Sequence, residues 1–198
     1  MKVVAFNGSP RREGNTALML REVLKPIAEA GIETELVQVG GVLLHGCKAC
    51  GACGKMKNLT CVQEGDPMNE WIKKMVEADG ILFGSPSYFS GLTSELKALI
   101  DRAGYVTVAN GRALARKVGA AVCVHRRAGG VNVLDQINHM MLMSRMIVPG
   151  STYWNLGVGR LPGEVLNDTE ALANMKDLGE TIAWLIKRGT QRGDKDEG

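Results

Sequence analysis

Five short apolar runs, each separated from the next by a stretch of helical period or a longer connection, leave this chain very few folds. The runs fall at residues 2–6, 33–39, 80–84, 118–124 and 146–153. Four are rich in Val, Ile or Ala; the second alternates charged and apolar residues, as a strand with one less buried face does. Between and after them, helices are expected at 16–30, 66–78, the segment ELKALIDRAG, 132–145 and 168–188. In the first, Leu18, Leu20, Val23, Leu24 and Ile27 make the apolar stripe, and Pro26 is expected to kink it. Asp66 with Pro67 reads as the start of the second, and Thr93 or Ser94 as the cap of the third. Strands joined through helices cannot pair as hairpins, so they form a mainly parallel sheet with right-handed crossovers. The expected class is α/β, with ligands bound outside the carboxyl ends of the strands.

Composition fits one buried core. Hydrophobic residues make up 45% of the 198 and charged residues 23%, which sets the chain apart from disordered sequences. A net charge of +3, with the basic residues dispersed, gives no basic stripe and excludes nucleic acid as the expected partner. The opening MKVVAFNGSP is too short in apolar residues for a signal peptide or a membrane span, so a cytoplasmic, membrane-free protein is expected. In that reducing setting, clustered cysteines hold metal or do redox work more readily than they form staples. One domain is expected over 1–188, with a Cys-rich insertion at 46–62 and a flexible tail at 189–198.

The segment NGSPRREGNT, residues 7–16, lies between the first strand and the first helix. Free amides at a helix N-terminus and the helix dipole favour an anion there, and Ser9, Arg11, Asn15 and Thr16 add donors. Gly8 and Gly14 let the backbone come close. The spacing is neither GxGxxG nor GxxxxGK[ST], and the plain alternative is a polar turn with a good helix cap. The segment GSPSYFSG, residues 84–91, stands at the end of the third strand. Pro86, Ser87, Tyr88, Phe89, Ser90 and Gly91 offer an apolar face and backbone groups to a planar ring, or the two aromatics simply cover the sheet. A third segment, VHRRAGG at 124–130, brings His125, Arg126, Arg127 and two glycines to the same edge.

Residues 47–61 read CKACGACGKMKNLTC, a C-x2-C-x2-C-x7-C pattern of Cys47, Cys50, Cys53 and Cys61. Four thiolates on one glycine-bearing loop suit a 4Fe-4S cluster. Zinc and a redox-active dithiol remain the alternatives, although two successive two-residue gaps fit a tetrahedral zinc site awkwardly. Cys123, inside VGAAVCV, reads as a buried core residue. His45 reads as solvated, the methionines around His139 as core or subunit interface, and Trp154 with NLGVGRLPG as a long connection covering a neighbouring subunit.

GSPRREGNT followed by GSPSYFSGLTSELKALIDR resembles the flavodoxin-like NADPH-dependent FMN reductases, in particular their iron-sulfur flavoprotein branch, from Lys2 to about Leu185. The resemblance implies a three-layer sandwich around a five-stranded parallel sheet. It implies that Ser9, Arg11, Asn15 and Thr16 hold the FMN phosphate, that Pro86 to Gly91 pass along the isoalloxazine, and that the loop around Arg127 and Gly129 closes the site. It strengthens the cluster reading of the four cysteines and implies a homodimer or homotetramer. The expected function is then an FMN-binding oxidoreductase that passes electrons to a small acceptor or a ferredoxin-like protein, with the cluster as relay. A cluster-free NAD(P)H-dependent FMN or quinone reductase is the alternative. With no separate nicotinamide fingerprint, NAD(P)H would have to stack on the flavin itself.

Overall fold

The computed structural model describes residues 1–193. Five strands are found there: β1 Lys2–Asn7, β2 Glu33–Gln38, β3 Gly80–Pro86, β4 Val118–His125 and β5 Leu156–Val158. The helices are α1 Asn15–Glu29, α2 Ala52–Met56, α3 Met68–Glu77, α4 Ser94–Ala109, α5 Gly130–Met143 and α6 Thr169–Gly193, with a 3-10 turn at Glu164–Asn167. All strands run parallel in the order β2-β1-β3-β4-β5.

Strand alternation sorts the core into two layers. Val4, Phe6, Ile81, Phe83, Ala121 and Cys123 face α3, α4 and α5, where Trp71, Ile72, Leu99 and Ile137 cover them. Val3, Ala5, Leu82, Ala120 and Val122 face α1 and α6, against Leu20, Val23, Ile27, Leu178 and Ile182. Both faces of the sheet are thus buried, which is why the central strands read as near-continuous apolar runs. Each fully buried large apolar side chain contributes roughly 1.5–3 kcal/mol. Helix α6 lies close on α1, since a Cβ at Gly179 would overlap the Val23 carbonyl and the Pro26 ring. Pro26 does not end α1, which continues to Glu29.

The fifth strand departs from expectation. In 146–153 only Ile147 bridges the sheet, through Val118, and the paired edge strand is Leu156–Val158, against Cys123, Val124 and His125. Pro149 has no N–H to give a ladder. Beyond it, Asn174 of α6 ties down the turn, accepting from the Thr152 hydroxyl and the Tyr153 amide and donating to the carbonyls of Tyr153 and Trp154. The NLGVGRLPG stretch therefore supplies β5 rather than a plain connection. At the other end, residues 189–193, expected in the tail, continue α6, and the remainder of that tail lies outside the described residues.

Candidate functional site

Because the chain goes from β1 outward to β2 and then returns to β3 on the other side of β1, a crevice opens at the carboxyl ends of β1 and β3. Asn7, the last residue of β1, lies level with Gln38 and Gly84. Its side chain is fully buried, donating to Gln38 Oε1 at 2.8 Å and accepting the Ser9 amide at 3.1 Å. Gln38 Nε2 in turn donates to the carbonyls of Ser9 and Gly40, each at 2.6 Å. Gly8 donates to the Gly84 carbonyl at 2.7 Å, and the Thr93 hydroxyl donates to the Gly8 carbonyl at 2.8 Å. Thr93 stands at the N-cap position of α4 but spends its hydroxyl on this loop instead of on the helix. The first loop is therefore held from both flanking strands before any ligand arrives.

Gly14 is the N-cap of α1 and gives no side-chain cap, which leaves the opening amides of that helix for an anion. Ser9 and Thr16 are buried beside them and Arg11 is exposed. Among the described residues the Arg11 guanidinium reaches only the Arg160 carbonyl, at 3.5 Å, and is held loosely by them. Asn15 behaves differently from expectation. Its amide donates to the Leu161 carbonyl at 2.9 Å and accepts from Gly163 at 2.8 Å, fastening the segment after β5 alongside the loop. What Asn15 presents to an anion is its backbone N–H.

The loop after β3 folds back on itself: Tyr88 and Gly91 exchange both backbone hydrogen bonds at 2.9 Å. Phe89 and Ser90 at its tip hold φ of 48° and 61°, the left-handed region. The Phe89 ring is fully exposed and Tyr88 about half so, so neither covers the sheet. The loop after β4 comes to it: Ser87 donates to the Val124 carbonyl at 2.8 Å, and Gly129 has φ of 84°. A Cβ there would stand 2.6 Å from Ser90 Oγ and 2.9 Å from Ser87 Oγ, so only glycine permits this approach. Arg126 and Arg127 are exposed on the same edge. All three loops expected to make one site do lie along one side of the sheet.

The cysteine loop packs on α4, away from the sheet edge. Cys47, Cys50, Cys53 and Cys61 line one cavity of about 170 Å3 with Gln63, Arg102, Tyr105 and Val106. All four are free thiols, and no three His, Cys, Asp or Glu side chains among the described residues gather as they would around a single metal ion. Gly51, at φ 71°, makes the turn into α2. Asn69 clamps Cys61 from both sides, accepting its amide at 2.7 Å and donating to its carbonyl at 2.9 Å. Asn110 accepts the Leu59 amide at 3.2 Å and donates to the Cys53 carbonyl at 3.4 Å. A larger groove of about 430 Å3 lies between α4 and α5, lined by Ile100, Tyr105, Gln136, His139 and Met143, and Gln136 reaches from it to the Ser90 carbonyl in the loop after β3, at 3.5 Å.

Residues 1–160 match the family model described as NADPH-dependent FMN reductase. The chain belongs to this family. Within the FMN reductase family it is 40% identical over 194 residues to an iron-sulfur flavoprotein of Methanocaldococcus jannaschii, covering 94% of this chain and 98% of the relative. An iron-sulfur flavoprotein of Methanosarcina thermophila is 32% identical over 197 residues, covering 98% and 100%. Among solved structures, a flavodoxin from the domain Archaea shares the fold at a TM-score of 0.62 and 16% identity, covering 94% of this chain and 99% of that one. The flavodoxin-like three-layer sandwich expected of the sequence is the fold observed.

Seen as an FMN reductase family member, the chain carries supports that its sequence did not disclose. Gln38, Gly40 and Thr93 shape the first loop from outside it, and Arg102 and Asp66 stand behind the cysteines as an ion pair with both side chains almost wholly buried. In the sequence Asp66 beside Pro67 reads as the start of a helix, and Arg102 is one residue of the helical segment ELKALIDRAG. Asp66 does accept the Met68 amide at the start of α3, at 3.2 Å, but its other oxygen takes Arg102.

Proposed function

We propose that this chain is an FMN-binding redox flavoprotein of a reducing, cytoplasmic setting that passes electrons to a small acceptor or a ferredoxin-like protein, with a 4Fe-4S cluster on Cys47, Cys50, Cys53 and Cys61 as relay. The observation that carries the reading is the convergence of three loops on the β1/β3 crevice beside an uncapped helix N-terminus. The donor set fits FMN: α1 amides and the Ser9, Thr16 and Arg11 side chains for the phosphate, with the loops at Pro86–Gly91 and Arg127–Gly129 for the ring. The cysteine cavity fits a cluster by the chemistry of its lining, four thiols on one loop.

When bound, FMN supplies a two-electron carrier and the cluster a one-electron one. The chain's part is to hold and to exclude. Asn7, Gln38 and Thr93 hold the first loop in place, which leaves the opening amides of α1 available to an anion without rearranging. The exposed Phe89 and Tyr88 offer apolar surface to one side of a ring, and NAD(P)H, where it serves as donor, stacks on that ring. Assembly into a homodimer or homotetramer belongs to the same reading.

Anaerobic purification followed by a visible spectrum, with iron, sulfide and flavin assays on one sample, tests it. Flavin bands with a broad shoulder and stoichiometric iron and sulfide are expected; flavin alone would leave the cluster-free NAD(P)H-dependent reductase. A colourless protein that takes up no FMN ends both readings. Cys50→Ser should lose iron while keeping flavin, read by the same assays. Rapid NADPH oxidation against slow reduction by reduced ferredoxin would favour the pyridine-nucleotide-linked enzyme, and the reverse the electron carrier.

A further inference from the structure

Arg102 is 1% exposed, an unusual place for a guanidinium. It comes from α4 and forms part of the wall of the cysteine cavity. One terminal nitrogen pairs with Asp66 and donates to the His45 carbonyl at 3.2 Å; the other donates to the Gln63 carbonyl at 3.2 Å. Those bonds account for Asp66 and for the two ends of the cysteine segment. They do not account for Nε, which is buried and has no hydrogen-bond partner among the described residues. An orphaned N–H on a buried cation is costly, and buried polar groups of this kind call for a specific explanation. The other side of the cavity is sulfur.

We propose that Arg102 donates its Nε–H to sulfur of the cluster bound by Cys47, Cys50, Cys53 and Cys61, and that this charged hydrogen bond raises the cluster's reduction potential. The inference rests on the cluster reading of that cavity. Reduction adds one electron to an already anionic group; no bond forms or breaks, and Arg102 keeps its proton throughout. A fixed positive charge with its hydrogen on sulfur stabilises the more negative state preferentially, and hydrogen bonds to sulfur together with local charge are what set such potentials. Asp66 then has a second duty. By taking one terminal nitrogen it fixes the plane of the guanidinium, and with it the direction of Nε.

Two measurements test this. Wild-type protein labelled with 15N-arginine, loaded with iron and sulfide and chemically reduced, should show a 15N coupling to the cluster spin in pulsed EPR, since Arg102 is the arginine lining the cavity. No 15N coupling overturns the proposal without needing any variant to fold. Potentiometric titration of Arg102→Lys, which keeps a charge for Asp66 but lacks Nε, and of the neutral pair Asp66→Asn with Arg102→Gln, should give lower potentials. The double change is expected to shift the one-electron equilibrium at least tenfold, about 59 mV. Variants that retain wild-type iron, lose stability and keep the wild-type potential would make Arg102 a purely structural brace. A wild-type chain that takes up neither iron nor sulfide would instead remove the cluster reading, and this inference with it.

Discussion

At the scale of single residues, the same side-chain type does different work according to its neighbours. Arg11 and Arg102 are both arginines near a proposed anionic group, yet one is exposed and loosely held and the other is buried and fixed. Arg11→Ala should therefore weaken FMN binding without harming the fold. Loss of one charge-assisted contact corresponds to about 1.5–3 kcal/mol, and flavin-fluorescence titration of the apoprotein would read it. Unchanged affinity would put the phosphate elsewhere. The cysteines divide in the same way. Cys123 is wholly buried on β4, and burial pushes its thiol up to about 12, whereas Cys47 and Cys50 are exposed. Alkylation of the apoprotein at pH 8 should label the loop cysteines and spare Cys123 until denaturant is added; mass mapping of the labelled peptides checks this.

At the scale of elements, glycines show where backbones must meet. Gly40, just past the end of β2, lies against the first loop so closely that a Cβ would overlap the backbone of Gly8 and Ser9. Gly40→Ala must push that loop off its supports. It should cost about 1–3 kcal/mol in urea unfolding and lower FMN affinity in parallel. Gly104, in the middle of α4 with no atom near its missing Cβ, predicts the opposite. Gly104→Ala should stabilise the fold by about 0.5–1 kcal/mol, because only helix propensity changes. If the two substitutions moved the unfolding midpoint in the same direction, the packing account of Gly40 would fail.

At the scale of the whole molecule, Glu35 on β2 joins the start of β1 to α3, with Lys2 at 2.9 Å and Lys74 at 2.7 Å. Those two hydrogen bonds, the one from Lys74 foremost, hold its carboxyl below the ordinary 4.5. A carboxyl with a lowered folded-state pKa stabilises the fold above the unfolded value and loses that contribution as pH falls through the folded one. Glu35→Gln should therefore be less stable than wild type near neutral pH, with the gap closing below about 4.5; urea midpoints across pH would show it. By itself, the sequence determined the parallel sheet, four of the five strands and the places of the three loops, because apolar period and turn chemistry act over a few neighbouring residues. It also marked the cysteine loop by spacing alone. Only the tertiary structure decided that β5 is Leu156–Val158, since three residues make a strand only where the edge of β4 is free to receive them. The same holds for Asn15, whose amide fastens residues some 150 positions away, and for Arg102, whose charge is buried because Asp66 meets it there. Such partners are set by how distant segments pack, and local sequence carries no record of that packing.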